Sequence, residues 1–242
     1  MSMADADPLI DVVGLAKAFG GRAIISGVSL TVNRGDLVAL IGANGGGKTT
    51  TLRMLAGLLR PDAGRGQVLG CDINQLTRAA RSEIGYMTQR HALYPELTVR
   101  DNLEFRLKIF GLPANVIEHA IHRYDLGAHL ETRFDQLSGG WARRVQLAAT
   151  MLNQPKLILL GEPTAGLDVV TRRDIWAMLI ALAGAGHAIV VSTHDLVEAE
   201  HCTSLKLYDR GVAHKQLSPS AFMLQHHSPS LDAAIIALAG PA

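Results

Sequence analysis

The residues with the clearest potential for chemistry form one glycine-rich run, Gly42-Ala43-Asn44-Gly45-Gly46-Gly47-Lys48-Thr49-Thr50. An apolar stretch at 37–41 precedes it and a helical pattern at 52–56 follows, which is the context of a phosphate-binding loop. Glycines let successive backbone N–H groups point into one concavity, and the helix dipole adds positive potential there. We expect Lys48 to reach the terminal phosphates of a nucleotide and the Thr49 hydroxyl to hold Mg²⁺. The alternative is a flexible turn that merely contains a lysine.

Apolar patterning predicts the strands that must position this loop. Residues 9–13 and 24–32 read as antiparallel strands, and 38–41 as a buried strand that leads into the glycine-rich run. Continuous apolar stretches at 156–160 and 188–192 are typical of parallel strands covered on both faces. These strands predict a sheet-based core.

Between about residues 73 and 137, helical periodicity replaces the strand pattern. Thr98 and Asp101 resemble a capping box that opens a helix running through Phe110. This region predicts a helical lobe inserted into the strand-rich core. Further predictions are a turn at 61–64, a short strand at 67–69, and helices at 115–124, 138–152, 172–183, 220–226 and 230–239.

Several motifs follow the glycine-rich run in a fixed order. Gln89 closes a strand-like segment, Leu-Ser-Gly-Gly-Trp stands at 137–141, Glu162 and Asp168 follow the apolar stretch, and Ser-Thr-His-Asp stands at 192–195. Together they resemble the nucleotide-binding subunit of ABC transporters over about residues 9–217. The resemblance implies an α/β fold of the ABC-type P-loop NTPase, a mixed sheet core with an antiparallel β subdomain and an inserted helical subdomain. It also implies a nucleotide-binding domain over 1–217, a helical subdomain at about 73–154 within it, and a helical extension over 218–242.

The same resemblance implies an ATPase that uses ATP as substrate and Mg²⁺ as cofactor. Glu162 matches the carboxylate that orients or deprotonates the attacking water, and His194 matches the histidine that senses the γ-phosphate. Gln89 would bind Mg²⁺ together with Thr49 and connect the site to the helical lobe. Phe19 stands where the family places an aromatic ring under adenine. Structural alternatives remain open: a solvated strand-end glutamate, a structural histidine and a core phenylalanine.

A second surface is implied by Ser138, Gly139 and Gly140, which would begin a helix and present a hydroxyl and free N–H groups. In the family this surface caps the γ-phosphate held by a second nucleotide-binding subunit, so ATP joins two like or unlike chains head to tail. Asp168 would shape the seam of that dimer. The alternative for Ser138 is an ordinary helix N-cap.

Two residues depart from the family pattern. Gly161 stands where an aspartate almost always supports the Mg²⁺ shell and the loop threonine, here Thr49. Loss of such a partner typically weakens metal binding or activity by about 10- to 100-fold. We therefore expect ATP to bind while turnover is slow and sensitive to magnesium. Trp141 replaces a common glutamine, but the Ser-Gly-Gly that contacts phosphate is intact.

Composition limits the partners and the location. The 242 residues carry a formal net charge of +1, which gives no strong field for nucleic acid. The acidic N-terminus lacks the apolar core of a secretory signal, and the apolar stretch at 175–192 is interrupted by two glycines and a histidine. The two cysteines fit a reduced compartment. We expect a cytoplasmic chain, peripheral on the inner face of the membrane through a separate transmembrane permease.

Residues 86–103 look like the ATPases of the drug, lipid or polysaccharide exporters, which favours export over import. Residues 91–97 would then lie near the groove where the permease docks. Two other functions remain open. One is a degenerate nucleotide-binding module paired with an active ATPase, which Gly161 favours. The other is an ABC ATPase acting on ribosomes or DNA, disfavoured because the sequence has one cassette and no basic stripe.

Overall fold

The computed structural model describes residues 7–89, 92–209 and 212–239. Its strands are β1 (Ile10–Phe19), β2 (Arg22–Val32), β3 (Leu37–Gly42), β4 (Ala63–Val68), β5 (Cys71–Asp72), β6 (Ile84–Met87), β7 (Leu157–Gly161), β8 (Ala188–Thr193), β9 (Ser204–Asp209) and β10 (Val212–Ala213). Its helices are α1 (Lys48–Leu55), α2 (Arg78–Ser82), α3 (Val99–Phe110), α4 (Asn115–Arg123), α5 (Gly139–Met151), α6 (Val169–Gly184), α7 (Leu196–Glu200), α8 (Pro219–Gln225) and α9 (Leu231–Ala239). All of these strands join one sheet in the order β5-β4-β1-β2-β10-β9-β3-β8-β7-β6.

One end of the sheet is antiparallel. Strands β1 and β2 form the predicted hairpin, with register from Ile10↔Val32 to Phe19↔Arg22, and β4 pairs with the other side of β1. The predicted turn at 61–64 is wrong in its second half, because β4 already begins at Ala63. Pairing with β1 extends this strand toward its N-terminal end. The pairing is close, because a Cβ at Gly66 would stand 2.2 Å from the Asp11 carbonyl oxygen.

The other end is parallel and places the functional loops at one edge. Strands β9, β3, β8, β7 and β6 run parallel, so their carboxyl ends lie side by side. The predicted strands at 38–41, 156–160 and 188–192 are confirmed as β3, β7 and β8, and all but the last residue of β3 in these three strands are buried. No strand is predicted from the sequence between 193 and 220, but β9 lies there, next to β3.

The helices begin and end where local chemistry directs them. The capping box of α3 is present, since the Thr98 hydroxyl accepts from the Asp101 N–H at 3.0 Å and the Asp101 carboxylate accepts from the Thr98 N–H at 3.3 Å. Helices α3, α4 and α5 share one hydrophobic cluster with β7 and β8. The two C-terminal helices are confirmed as α8 and α9, and Leu231 of α9 is buried in the same cluster. Across the described ranges, no helix is both long enough and apolar enough to cross a bilayer.

Candidate functional site

The glycine-rich run connects β3 to α1 and depends on two glycines for space as well as for backbone angle. A Cβ at Gly42 would stand 2.2 Å from the Tyr208 carbonyl oxygen, and one at Gly47 would stand 1.9 Å from Ile25 Cγ2. Their φ angles are +142° and +103°, a region that L side chains rarely adopt. A residue with a side chain at either Gly42 or Gly47 would therefore disrupt this turn.

Lys48 begins α1 and is only 4% exposed. Its Nζ donates hydrogen bonds to the carbonyl oxygens of Gly42 at 2.5 Å and Ala43 at 3.0 Å. Burial lowers the pKa of Lys48, and the Glu162 carboxylate opposes that shift. A buried ammonium group thus lies at the base of the loop.

An open cleft of about 410 Å³ lies over the loop. It is lined by Phe19, Ile24, Asn44, Gly45, Gly46, Gly47, Lys48, Thr49, Thr50, Gln89 and Glu162. The structure therefore brings most of the sequence-predicted site residues into one cavity. Phe19 is 49% exposed at the end of β1, so the alternative of a core residue is wrong.

Three predicted residues meet at the carboxyl ends of neighbouring parallel strands. Gln89 Nε2 donates to Glu162 Oε2 at 3.0 Å, and His194 Nδ1 lies 3.8 Å from the same oxygen. Glu162 has a φ of +45°, unusual for a residue with a side chain. Its N–H donates to the Ser192 carbonyl oxygen at 3.0 Å and contacts the Ser192 hydroxyl at 3.3 Å. Strand β8 therefore holds the turn that aims Glu162 at the cleft.

Ser138, Gly139, Gly140 and Asp168 do not line this cleft. The Ser138 hydroxyl accepts from the Trp141 N–H at 3.4 Å, so this serine is the N-cap of α5. Ser138 and Gly140 line a separate cavity with Trp141, Arg144, Thr171, Asp174 and Ile175. Asp168 caps α6, and the Thr171 hydroxyl, at 2.6 Å, lowers the pKa of its carboxyl. Within one chain this surface stands apart from the phosphate loop.

Comparison with known proteins identifies the family. The family model described as ABC transporter matches residues 25–165, a span that includes the glycine-rich run, Gln89, Ser138 and Glu162. A Nod factor export ATP-binding protein I of Bradyrhizobium diazoefficiens is 39% identical over 222 residues, covering 90% of this chain and 72% of that relative. This chain belongs to the ABC transporter ATP-binding family.

Two further likenesses agree with this assignment. A probable multidrug ABC transporter ATP-binding protein of Escherichia coli is 36% identical over 209 residues, covering 85% of this chain but only 36% of that longer relative. A solved ATP-binding subunit of an ABC transporter superposes with a TM-score of 0.86 at 26% identity, covering 96% of this chain and 99% of that one. The α/β fold of ABC type predicted from the sequence is confirmed.

In this ABC ATP-binding chain the space beside Gly161 is narrow. A Cβ at Gly161 would stand 3.0 Å from the Gln89 backbone nitrogen. Arg143 holds that backbone in place, since its Nη2 donates to the Gln89 carbonyl oxygen at 2.8 Å. Burial lowers the pKa of Arg143, and Glu162 opposes the shift. A side chain at position 161 would have to displace the segment that carries Gln89 by a few tenths of an ångström.

The oxygen atoms around the cleft provide some, but not all, of the ligands expected for a hard divalent cation. The Thr49 hydroxyl, the Gln89 amide and the Glu162 carboxylate supply the oxygen ligands that Mg²⁺ prefers. Gln89 donates through its NH₂ group to Glu162, which leaves its amide oxygen available. The second carboxylate that the resemblance implies is absent, because position 161 is glycine. These residues fit Mg²⁺ with one protein charge fewer to balance it.

Sequence reasoning missed the residues that support the site from behind. Glu198 of α7 is buried, and its carboxylate accepts from the hydroxyls of Thr164 and Thr193. Arg172 Nη1 donates to Asp195 Oδ2 at 2.5 Å. No local pattern could have found the first contact, because Thr164 and Glu198 are 34 residues apart in sequence.

Tyr94, one of the residues predicted to lie near the docking groove, is exposed next to an apolar part of α3. His91 falls outside the described residues. Tyr94 and Phe105 are both exposed, and their ring centroids are 5.0 Å apart in an edge-to-face arrangement. Ile109, one helical turn after Phe105 on α3, is 59% exposed. These three residues form an apolar patch, here called the α3 patch.

Proposed function

We propose that this chain binds Mg–ATP in the cleft over the glycine-rich loop and hydrolyses it to drive transport by a separate membrane permease. The observation that carries the proposal is the convergence of Lys48, Gln89, Glu162 and His194 on one edge of the sheet. Phosphate oxygens would accept from the loop N–H groups and from Lys48. The adenine ring would stack on Phe19, which is exposed at the rim of the cleft.

Each residue at this edge has a distinct role in the proposed hydrolysis. Glu162 accepts a proton from a water molecule while the oxygen of that water attacks the γ-phosphorus. The bond between the γ-phosphorus and the oxygen that bridges it to the β-phosphate then breaks. Gln89 orients Glu162 through the 3.0 Å hydrogen bond, and His194 lies beside the transferred group. Mg²⁺, held by Thr49 and Gln89, would balance charge on the phosphates.

The surface formed by Ser138, Gly139 and Gly140 supports a dimer with a second nucleotide-binding subunit. It lies apart from the cleft of its own chain, so it is free to meet the phosphates bound by another. The N-terminus of α5 offers N–H groups and positive potential to an anion. Asp168 would border the same seam. The partner is a like or an unlike chain of this family.

The names of two relatives support export: one is a Nod factor export ATP-binding protein and the other a probable multidrug ABC transporter ATP-binding protein. We place the chain on the cytoplasmic face of the membrane, docked to its permease through the α3 patch and residues 92–97. The nucleotide-binding domain would span 1–217 with its helical subdomain at about 73–154, and 218–242 would form a C-terminal extension. Nucleic acid is not among the proposed partners.

A second candidate is a nucleotide-binding module that gates a complex while a partner ATPase performs hydrolysis. Gly161 favours it, because the site lacks one carboxylate and the space beside that glycine is narrow. Glu162, which lines the cleft, and His194, whose Nδ1 lies 3.8 Å from Glu162 Oε2, favour an active enzyme.

The two candidates are separated by measuring ATP retention and ATP turnover on the same preparations. Lys48→Ala removes the ammonium group at the base of the loop, and we expect ATP affinity to fall by about 100-fold. Glu162→Gln keeps the shape and removes the base, so we expect ATP binding to persist while kcat falls by about 10²- to 10⁴-fold.

Each outcome decides between the candidates. Turnover by the purified native chain that Glu162→Gln abolishes supports the enzyme. ATP binding without turnover, restored only when a partner ATPase is added, supports the gating module. Equal ATP retention by the native chain and Lys48→Ala would overturn both.

A further inference from the structure

The buried carboxylate of Glu198 joins the two loops that carry the proposed catalytic residues. Thr164 lies two residues after Glu162, and Thr193 lies directly before His194. The Thr164 hydroxyl donates to Glu198 Oε1, and the Thr193 hydroxyl donates to Glu198 Oε2 at 2.5 Å. One side chain therefore holds both loops, one through each of its oxygens.

Burial makes this connection sensitive to substitution. Glu198, Thr164 and Thr193 are 4%, 2% and 3% exposed. They line a small cavity of about 70 Å³ next to Glu162 and His194. An unpaired buried hydroxyl or carboxyl is costly, which favours the single arrangement in which both oxygens are satisfied. Arg172 of α6 lies close by, with its Nε 3.9 Å from Glu198 Oε1. Both loops are thus hydrogen-bonded to α7, and α6 places a positive charge near the same carboxylate.

We propose that Glu198 is a positioning residue that fixes the separation of Glu162 and His194. These two side chains approach to 3.8 Å without a hydrogen bond of their own, so their spacing is set by the loops that carry them. Glu162 is also tied to β8 through its backbone contact with Ser192. The Glu198 carboxylate adds a second constraint on each loop, through Thr164 after Glu162 and through Thr193 before His194.

The proposal rests on the proposed ATP turnover for its kinetic test, and Glu198→Gln and Glu198→Ala supply the variants. Glutamine keeps the volume and one acceptor oxygen, whereas alanine leaves both threonine hydroxyls without an acceptor. Misplacing a catalytic group by about 1 Å costs on the order of 100-fold in rate, so we expect kcat to fall about 10-fold in Glu198→Gln and 100-fold in Glu198→Ala. ATP affinity should change by less than about twofold, since the phosphate loop is not contacted.

Glu200→Gln, an exposed change at the end of the same helix, is the matched control and should leave kcat unchanged. The imidazole NMR signals of His194, recorded without nucleotide, should shift in the Glu198 variants and not in Glu200→Gln. A purely structural role would lower the melting temperature while leaving kcat per folded molecule and the His194 signals unchanged, and that result overturns the proposal. If the native chain hydrolyses no ATP, proposed turnover fails, while the His194 signals still decide the positioning role.

Discussion

The glycine-rich loop and the ends of β7 and β8 are built in different ways, the first by backbone conformation and the second by side-chain hydrogen bonds. The loop depends on the absence of Cβ atoms at Gly42 and Gly47, which pack against Tyr208 and Ile25. The edge that carries Glu162 depends on side-chain hydrogen bonds between distant parts of the sequence, from Gln89 to Glu162 and from Thr164 to Glu198. Binding and turnover should therefore respond to different kinds of substitution.

Among the substitutions of glycines and of Phe19, the largest effect is expected for Gly47→Ala. The added Cβ would stand 1.9 Å from Ile25 Cγ2, and φ at this position is +103°. Strained backbone of this kind costs on the order of 1–3 kcal/mol, and relieving the clash requires the loop to move, so we expect a loss of about 100-fold in ATP affinity. Isothermal titration with ATP measures it.

Gly45→Ala is the control for Gly47→Ala. Gly45 also has a positive φ, +80°, but a Cβ there meets nothing within 4 Å. The Gly45→Ala variant therefore has the backbone strain without the steric clash, and we expect its ATP affinity to fall about tenfold. Equal losses in the two variants would show that packing against Ile25 contributes nothing to the loop.

An intermediate effect is expected for Gly161→Asp, which acts on turnover rather than on binding. The added carboxylate supplies the missing support for Mg²⁺, and we expect hydrolysis at limiting magnesium to rise about tenfold. Gly161→Ala introduces the same Cβ, 3.0 Å from the Gln89 nitrogen, without the carboxylate. It should give no gain.

Magnesium titrations of the ATPase rate compare the three chains. A rate for Gly161→Asp no higher than that of the native chain at limiting magnesium would contradict the idea that the missing carboxylate limits turnover. Equal gains in the alanine and aspartate variants would attribute the change to the Gln89 segment instead.

The smallest effect is expected for Phe19→Ala. Stacking of a base on an aromatic ring contributes about 1–3 kcal/mol, and the exposed ring of Phe19 places it at the low end, so ATP affinity should fall about fivefold. Phe19→Tyr keeps the ring and should bind as the native chain does. Fluorescence titration with an adenine nucleotide measures both, and an unchanged affinity in Phe19→Ala would place the base elsewhere in the cleft.

Local patterns predicted the parts of the site that local geometry builds. The glycine-rich run, the capping box of α3 and the N-cap at Ser138 all depend on residues within a few positions of one another. That Gln89 and Glu162 belong to one site was implied by the family resemblance. The resemblance, rather than the spacing, supplied the role of each residue.

The residues that sequence analysis missed depend on contacts between distant segments. Glu198 looks like any other glutamate on a short helix until Thr164 is brought beside it. Strand β9 was missed because Lys206 interrupts its apolar residues; the structure buries this lysine, and burial lowers its pKa to about 8. The length of β4 was underestimated, because its pairing with β1, and not its own composition, determines where the strand begins.

The two hydrogen bonds from Lys48 to Gly42 and Ala43 have a consequence for how a nucleotide enters. The ammonium group is anchored by two carbonyl oxygens of its own turn, which fixes its position at the base of the loop. The phosphate oxygens of a nucleotide must compete with these two carbonyl oxygens for the hydrogen bonds of Lys48. We therefore expect a triphosphate to bind better than a monophosphate, because its greater negative charge attracts the lysine more strongly.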